Sequence, residues 1–448
     1  MPDASTLYAP ATGLGRAAIS VIRVTGPASG DVIRHLAGAL PPPRRLSLRT
    51  LRTHDSDVLD EALIVWLPGP GTFTGEDMVE LHLHGGSAVR SAVLQALAAI
   101  PGCRPAAPGD FSRRAFLNGR LDLTEAEGIA ELIDAETEAQ RRQALRQLDG
   151  ALGRQVADWR ARLIDLLAGV EAALDFSDEG DVDETALDAA LGQKASAIRD
   201  EIAGVLADGR RGERLREGFV VVLAGPPNAG KSTLLNTLSR RDAAIVSATP
   251  GTTRDVIEVR CDLGGLPVVL VDTAGLREAT DAIEAEGIRR TRDRMRQADL
   301  VLMLRAPDDA SRLGERDAER DRQAPPDVPT LAVRTKGDMA VQGFAPLTED
   351  AVSISAQTGE GLDHLLDRIE AEAAAATGGG DALITRERHR LGLTQCWDHL
   401  DRLLAGSALP ELAAEDLRLA VRALGEVAGQ VGVEELLDRL FSGFCIGK

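Results

Sequence analysis

Residues 225–232 read Gly225-Pro226-Pro227-Asn228-Ala229-Gly230-Lys231-Ser232, a GxxxxGK[ST] pattern set directly after an apolar run and before the helix-forming run 233–238. Such a loop offers backbone amides and the partial positive charge of a helix N-terminus to phosphate oxygens. Lys231 would reach the β and γ oxygens, and Ser232 would turn its hydroxyl toward Mg2+, with Asn228, Ala229, Gly230 and Thr233 completing the cradle. Two further pieces fit the same chemistry. Asp272-Thr273-Ala274-Gly275 follows the apolar run 268–271; an acid at a strand end holds Mg2+ through water, and a glycine amide beside it senses the γ-phosphate. Upstream, Gly251-Thr252-Thr253-Arg254-Asp255 lies between helix and strand, where the Thr253 hydroxyl would complete the Mg2+ shell.

Base choice is written in Thr335-Lys336-Gly337-Asp338 and in Ser355-Ala356. A carboxylate such as Asp338 accepts two donors from guanine N1 and N2, a pair adenine lacks. The usual guanine motif is NKxD, and Thr335 stands in place of the asparagine. One neutral hydrogen bond lost costs roughly 0.5–1.5 kcal/mol, so weaker affinity with retained specificity is expected. The reading is therefore a GTPase. Leu276 follows Gly275 where many GTPases carry the glutamine that orients attacking water, so another group must do so; Glu278, Asp281 and Glu284 are carboxylates in the next segment.

These residues need a scaffold. Apolar runs at 219–224, 268–271, 300–304 and 330–333 are separated by helix-length segments, the pattern of a mostly parallel sheet with helices on both faces. Residues 305–329 read as a charged, proline-containing surface loop, and Thr377-Gly378-Gly379-Gly380 as a flexible exit. Before residue 120 the pattern differs: strands are predicted at 18–24, 63–67 and Met78–His84 (MVELHLH), with a helix at 87–100, giving a small α+β domain. From 121 to 215 there is no proline, and Leu163, Leu166, Leu167, Val170 and Leu174 form one helical face. Helical patterning returns after 377, with Leu417, Val421 and Leu424 on one stripe. The expected organisation is 1–120 α+β, 121–215 helical, 216–377 an inserted Ras-like GTPase domain, and 378–448 helical again.

The 448 residues carry 51 Lys+Arg against 70 Asp+Glu, a formal charge of −19, and only 3% aromatics. That balance argues against a free-standing nucleic-acid binder. The excess is uneven: +2 over 1–120, −11 over 121–215, −7 over 216–377 and −3 over the remainder. The N-terminal segment could thus face an anionic ligand. Cys103, Cys261, Cys396 and Cys445 lie far apart, which excludes a disulfide framework or zinc ribbon and fits a reducing cytosol. No apolar run reaches 18 residues and no signal-peptide pattern opens the chain, so neither secretion nor membrane insertion is expected.

Further motifs carry a resemblance. Residues 10–23 (PATGLGRAAISVIR), 108–118 (PGDFSRRAFLN) with 121–127 (LDLTEAE), and the terminal Phe444-Cys445-Ile446-Gly447-Lys448, taken with the GTPase motifs, resemble the tRNA-modification GTPase family MnmE (TrmE) over nearly the whole chain. The resemblance implies an N-terminal folate-binding, dimerising domain ahead of a helical domain that carries the GTPase insertion. It implies a flavoprotein partner, MnmG (GidA), and C5 aminomethyl or carboxymethylaminomethyl addition to the wobble uridine of certain tRNAs, the carbon coming from a tetrahydrofolate derivative. Hydrolysis in the family is potassium-stimulated and accompanies association of two GTPase domains. Carried over by position, Asn228, Ser247, Thr249 (through its carbonyl) and Thr252 align with the potassium site, within the nucleotide loop Ser247-Ala248-Thr249-Pro250-Gly251. Glu284 aligns with the carboxylate that positions water, beside Lys231 and Thr253 in the catalytic set. Arg23, Glu80, Arg120 and Lys448 align with folate contacts; the family often has lysine at 120, and arginine keeps the charge with another geometry. On this reading the acidic chain binds tRNA weakly and with salt sensitivity, the partner holding most of it.

Two other classes compete with this reading. A regulatory switch GTPase, as in ribosome assembly, has no need of Arg23, Glu80 and the terminal tail. A structural folate-binding dimer has no need of intact Lys231, Ser232, Asp272 and Glu284. Plainer readings suit the remaining features. Cys445 has only Lys448 to lower its pKa and reads as inert. His82 and His84 share one strand face without a third ligand and read as a packed or edge-strand pair. Arg289, Arg290, Arg292, Arg294 and Arg296 read as a solvated helix face.

Overall fold

The computed structural model describes residues 5–13, 15–175, 184–208, 210–241, 243–245, 258–272, 293–307, 327–339, 351–378, 382–406, 410–431, 434–444 and 446–447. The chain forms two compact units: Met1–Ala130 with Leu148–Ala168 and Arg418–Lys448, and Glu131–Gln147 with Gly169–Leu417.

The first unit is built on a six-stranded sheet ordered β3-β4-β5-β2-β1-β6. Its strands are β1 (Thr6–Pro10), β2 (Ile19–Thr25), β3 (Ser47–Arg52), β4 (Val58–Leu67), β5 (Met78–His84) and β6 (Cys103–Pro105). All neighbours are antiparallel except β1 and β6. Strand β5 shows why MVELHLH is a strand: Val79, Leu81 and Leu83 point to one face and are buried, while Glu80 and His82 face the other way and stay half-buried. The buried face is covered by the helices Ser29–Ala37 and Ser87–Ala98, through Val32, Ile33, Leu36, Val93 and Leu97. Part of the opposite face is covered by the helix Asp110–Leu117, whose Phe111 packs on Leu7, Ala9 and Met78.

The sequence reading placed the strand at 63–67, yet β4 begins five residues earlier. Its first half carries Asp60 and Glu61 and pairs with the edge strand β3, which has no apolar alternation of its own; Leu48 there is exposed. Tertiary pairing supplied what the pattern lacked.

The block LDLTEAE has a structural explanation. Asp122 Oδ1 accepts the Glu125 amide at 2.8 Å and the Thr124 hydroxyl at 2.7 Å, while Glu125 Oε2 accepts the Asp122 amide at 2.7 Å. This reciprocal capping box starts the helix Leu123–Asp134. The start of the helix Ala151–Asp175 presses on that cap. A Cβ on Gly153 would fall inside contact distance of Asp122 Oδ2, and one on Gly150 would lie 2.9 Å from Glu125 Oε1. Burial raises the Glu125 carboxyl above its usual range, the nearby Asp122 charge adding to the effect and its amide opposing it.

The second unit holds a sheet ordered β12-β11-β10-β7-β9-β8: β7 (Phe219–Ala224), β8 (Glu258–Leu263), β9 (Leu266–Asp272), β10 (Leu300–Arg305), β11 (Thr330–Arg334) and β12 (Val352–Ser353). Every pair is parallel except β8 with β9. The β7 run is continuously apolar because both its faces are covered. Phe219, Val221 and Leu223 pack under the helices Lys231–Leu238 and Leu362–Thr377; Val222 and Ala224 pack on Met295 and Ala298 opposite. Burying each such side chain contributes about 1.5–3 kcal/mol.

Strand β8 was not foreseen. It buries only Cys261 and Leu263, leaving Glu258 and Arg260 outward, and joins β9 through Gly264 and Gly265, whose φ of +59° and +84° suit the tight hairpin. The helix Leu362–Thr377 runs to the predicted glycine exit and ends on Gly378 in the left-handed region. On the Pro410–Ala428 helix Leu417 and Leu424 are buried as expected, whereas Val421 is half-buried and Ala414 and Ala420 fill the stripe.

Segment 131–147 is fastened to this unit by amide side chains. Gln140 Nε2 donates to the Arg216 carbonyl at 3.1 Å and Gln143 Nε2 to the Ala382 carbonyl at 2.7 Å, and the Ala139 amide donates to the Gly265 carbonyl at 3.1 Å. Arg214 pairs with Asp299 at 2.6 Å, and the same carboxylate accepts the Val220 amide, tying the helix Arg211–Glu217 to the start of β7.

Two helical glycines of the Ala151–Asp175 helix should respond oppositely to alanine. Gly153→Ala meets a carboxylate fixed by two hydrogen bonds and should lower the thermal midpoint, at a cost of about 1–3 kcal/mol. Gly169→Ala meets nothing within 4 Å and should raise it by up to about 1 kcal/mol of helix propensity. Calorimetric scans of both variants check the pair.

Candidate nucleotide-binding site

The parallel strands deliver their loops to one edge of the sheet, where ligands of open α/β sheets sit. Ala224 ends β7, and Gly225 follows at φ +146°; a Cβ there would collide with the Leu304 carbonyl oxygen at the end of β10. Only glycine lets the chain turn so close to the neighbouring strand. Asn228 takes φ +67° without being glycine, and Gly230 at φ +89° caps the Lys231–Leu238 helix. That helix starts two residues before the predicted 233, so Lys231 and Ser232 lie in its first turn, where backbone amides have no partner four residues back in the helix.

Lys231 is 7% exposed, and its Nζ donates to the carbonyls of Gly225 at 2.9 Å and Pro226 at 2.8 Å. The ammonium therefore lies across the mouth of its own loop, where phosphate oxygens can replace the carbonyls. Asp272 sits at the end of β9, beside Leu223 in register, and is fully buried. Ser232 Oγ donates to Asp272 Oδ2 at 2.7 Å. The two motifs are thus brought together as a hydroxyl and a carboxylate, both hard oxygen donors of the kind Mg2+ selects.

In the turn expected to read the base, the Thr335 amide donates to the Arg305 carbonyl at 2.8 Å and the Gly337 amide to the Ile354 carbonyl at 2.9 Å. Lys336 takes φ +54°, and Asp338 is exposed on the turn. A Cβ on Gly337 would lie 3.1 Å from Ser353 Oγ, so the glycine in Thr335-Lys336-Gly337-Asp338 allows this loop to lie against the next one. Ser355 Oγ accepts the Thr358 amide at 3.2 Å, and the Ala356 carbonyl accepts the Thr237 hydroxyl at 3.3 Å. What the sequence left unseen is the Thr335 side chain: its hydroxyl turns inward and donates to the Ala229 carbonyl at 2.8 Å.

Ser247, Ala248, Thr249, Pro250, Gly251, Thr252, Thr253, Thr273, Ala274, Gly275 and Glu284 lie outside the described residues, as do Leu276, Glu278, Asp281, Cys445 and Lys448. Of the arginine run, Arg294 and Arg296 are described, and Arg296 pairs with Asp293 at 3.6 Å.

In the first unit, Arg23 and Glu80 are direct cross-strand partners on β2 and β5. Arg23 Nε donates to Glu80 Oε1 at 3.0 Å, and His82 Nε2 lies 3.2 Å from Glu80 Oε2. His84 Nδ1 lies 2.7 Å from Asp60. Each histidine therefore faces a carboxylate, the one beside His82 being shared with Arg23, and the His84 side chain is largely exposed. Arg120 lays its aliphatic stem over Gly75, and among the described residues no hydrogen bond joins it to Arg23 or Glu80. Gly447, at φ +90°, packs on Pro10 so closely that a Cβ would strike the Pro10 carbonyl; the two ends of the sequence thus meet in this unit. Burial pushes the Cys261 thiol up to about 11 and that of Cys396 to about 12, so neither is a thiolate at neutral pH.

A glycine-turned loop after a central strand, a lysine across it, and a serine–aspartate pair at its head define a P-loop nucleotide hydrolase. Comparison with known proteins agrees. The family model of the MnmE helical domain matches residues 123–445, and that of the GTP-binding protein TrmE N-terminus matches residues 6–120. The tRNA modification GTPase MnmE of Methylorubrum populi is 68% identical over 446 residues, 99% of this chain and 98% of that protein. Its counterpart in Methylobacterium radiotolerans is 65% identical over 457 residues, all of both chains. Among solved structures, the G domain of the T. maritima FeoB iron transporter is similar at 26% identity and TM-score 0.25, over 34% of this chain and 98% of that one. The chain belongs to the MnmE family of tRNA modification GTPases.

Gly225→Ala should abolish the loop's turn. Nucleotide affinity is expected to fall at least about tenfold, with the circular dichroism spectrum unchanged, as read by fluorescent GDP titration.

Proposed function

We propose that this GTPase acts with a flavoprotein partner, MnmG (GidA), to add an aminomethyl or carboxymethylaminomethyl group at C5 of the wobble uridine in certain tRNAs, using a tetrahydrofolate derivative as carbon donor. The observation that carries this reading is the presence, in one full-length family match, of both a built phosphate loop and an N-terminal sheet face bearing Arg23 and Glu80. A switch GTPase would require only the first. The segments 1–120, 121–215, 216–377 and 378–448 serve as folate-binding and dimerisation domain, first helical part, GTPase domain and second helical part.

In this reading the loop amides and Lys231 hold the phosphates, and Lys231 exchanges the Gly225 and Pro226 carbonyls for β and γ oxygens. Ser232 and Thr253 would hold Mg2+, with Asp272 acting through water; the paired oxygens of Ser232 and Asp272 suit that ion. Bound Mg2+ supplies charge neutralisation of the phosphates. Asn228, Ser247, Thr249 and Thr252 would hold K+, which supplies positive charge where other GTPases use an arginine. Glu284 orients the attacking water in place of the glutamine that Leu276 lacks. Thr273, Ala274 and Gly275 follow the γ-phosphate, while Lys336, Asp338, Ser355 and Ala356 surround the guanine.

Arg23, Glu80, Arg120 and Lys448 would contact the folate. The Arg23–Glu80 pair suits a ligand with both a glutamate tail and an amino-pyrimidine ring, because it presents a cation and a carboxylate side by side. The packing of Gly447 on Pro10 keeps the end of the chain within the same unit as that pair. The protein is proposed to work as a cytoplasmic homodimer; among the described residues no helix is long and apolar enough to cross a membrane. The partner protein holds most of the tRNA, since this chain is strongly acidic.

Mass analysis of wobble nucleosides in tRNA from a strain lacking this gene should show loss of the C5 group, and unchanged nucleosides would leave only the GTPase. Substituting Asn228 should remove potassium stimulation of turnover while sparing nucleotide binding; equal stimulation of the wild type by Na+ and K+ would count against the potassium site. Glu284→Ala should lower turnover by about 100-fold or more at nearly unchanged GTP affinity, read in single-turnover assays.

A further inference from the structure

We propose that Thr335 is a positioning residue of the phosphate loop, and that Asp338 reads the guanine without help from a side chain at 335. The proposal rests on the guanine-reading role given to Asp338 and adds what the motif's first residue does in this chain.

Three observations carry it. Thr335 is 4% exposed, in a turn whose other residues, Lys336 to Met339, are half-buried or exposed. Its hydroxyl donates to the Ala229 carbonyl at 2.8 Å, with the Arg305 carbonyl at 3.2 Å as the neighbouring acceptor. Its own amide is already anchored to Arg305 at 2.8 Å. One residue therefore ties the end of β10 to the loop at the peptide just before Gly230, the left-handed cap from which the Lys231 helix departs. The Thr335 side chain lies beside that cap: a Cβ on Gly230 would be in ordinary van der Waals contact with it, 3.6 Å from both Thr335 Oγ1 and Thr335 Cβ.

A hydroxyl has one proton, and here it is committed to Ala229. Turning it outward toward a base would take the hydroxyl away from the carbonyl of Ala229, a fully buried residue. A carboxamide at this position has two N–H donors, so one can tether the loop while the other reaches the acceptors on the guanine edge. Threonine keeps the tether and gives up that second contact. The substitution is thus separable into a retained structural function and a lost recognition function.

The test is titration of the full-length chain with GDP, 7-deaza-GDP, which lacks the N7 acceptor, and IDP, which lacks the 2-amino donor. Wild type is expected to bind GDP and 7-deaza-GDP within twofold of each other and IDP more weakly. Thr335→Val should weaken all three by one common factor, about tenfold, because the loop itself is loosened. Thr335→Ser should restore binding to within about twofold, and Thr335→Asn should bind GDP better than 7-deaza-GDP. Wild-type rejection of 7-deaza-GDP by fivefold or more would overturn the proposal, as would a valine variant that folds and binds every nucleotide like wild type. Should the valine chain not fold, the 7-deaza comparison on wild type and the serine and asparagine variants still decides. Equal binding of GDP and IDP would remove Asp338 from base reading, a failure separate from that of the tether.

Discussion

The nucleotide end of this protein depends on a single backbone approach. The chain leaves a strand buried on both faces and must reverse within a few residues, passing against the carbonyl that ends the adjacent strand. Gly225 permits that passage because it has no Cβ to meet Leu304. Once the turn is made, Asn228 and Gly230 can take left-handed conformations, the helix can start at Lys231, and the first-turn amides point back over the strand end. The Ser232–Asp272 contact follows from the same turn, since it needs the helix start and the end of β9 within hydrogen-bond reach. Strand burial supplies the stability that holds such a strained turn in place.

A second close approach governs the N-terminal unit. The carboxylate of Asp122 is held by a hydroxyl and an amide, and a neighbouring helix sits on it by using Gly150 and Gly153. The acidic residues of LDLTEAE look, as residue types, like candidates for chemistry. In the fold two of them saturate each other's backbone donors, which accounts for their spacing without a ligand. Arg114, in the block just before, is similarly occupied: it is mostly buried and donates to Glu76 at 3.0 Å and to the Ser5 carbonyl at 2.6 Å.

The legibility of the sequence followed burial in part, since β1, with four of its five residues buried, was missed. Strands covered on both faces, such as β7 and β10, and the cleanly alternating β5 were evident from residue pattern, and the phosphate loop from its spacing. The edge strands β3 and β8 were not, because they bury only Leu51 and only Cys261 and Leu263 and carry charges between, so neither alternation nor apolar run is complete. The Arg23–Glu80 pairing needed a register between strands 57 residues apart, which no local pattern encodes. Thr335 illustrates a different gap. Its identity announced a missing base contact, but only packing shows where its hydroxyl went.

The joint between segment 131–147 and the GTPase sheet obeys a different chemistry from either core. Gln140 and Gln143 reach backbone carbonyls of residues 216 and 382, which flank the sheet on the way in and on the way out, and the Ala139 amide reaches the turn between β8 and β9. Apolar packing tolerates sliding, because its energy varies slowly with lateral displacement. A seam of side-chain amides bound to particular carbonyls has one register, since displacing the donor to the buried Ala382 alone leaves its carbonyl unpaired at a cost of about 1–3 kcal/mol. Such a seam fixes the position of the β8–β9 hairpin against the helix that follows residue 137. That hairpin lies in sequence between the glycine-turned loop at 225–232 and Asp272, so its placement is set from outside the sheet as well as from within it.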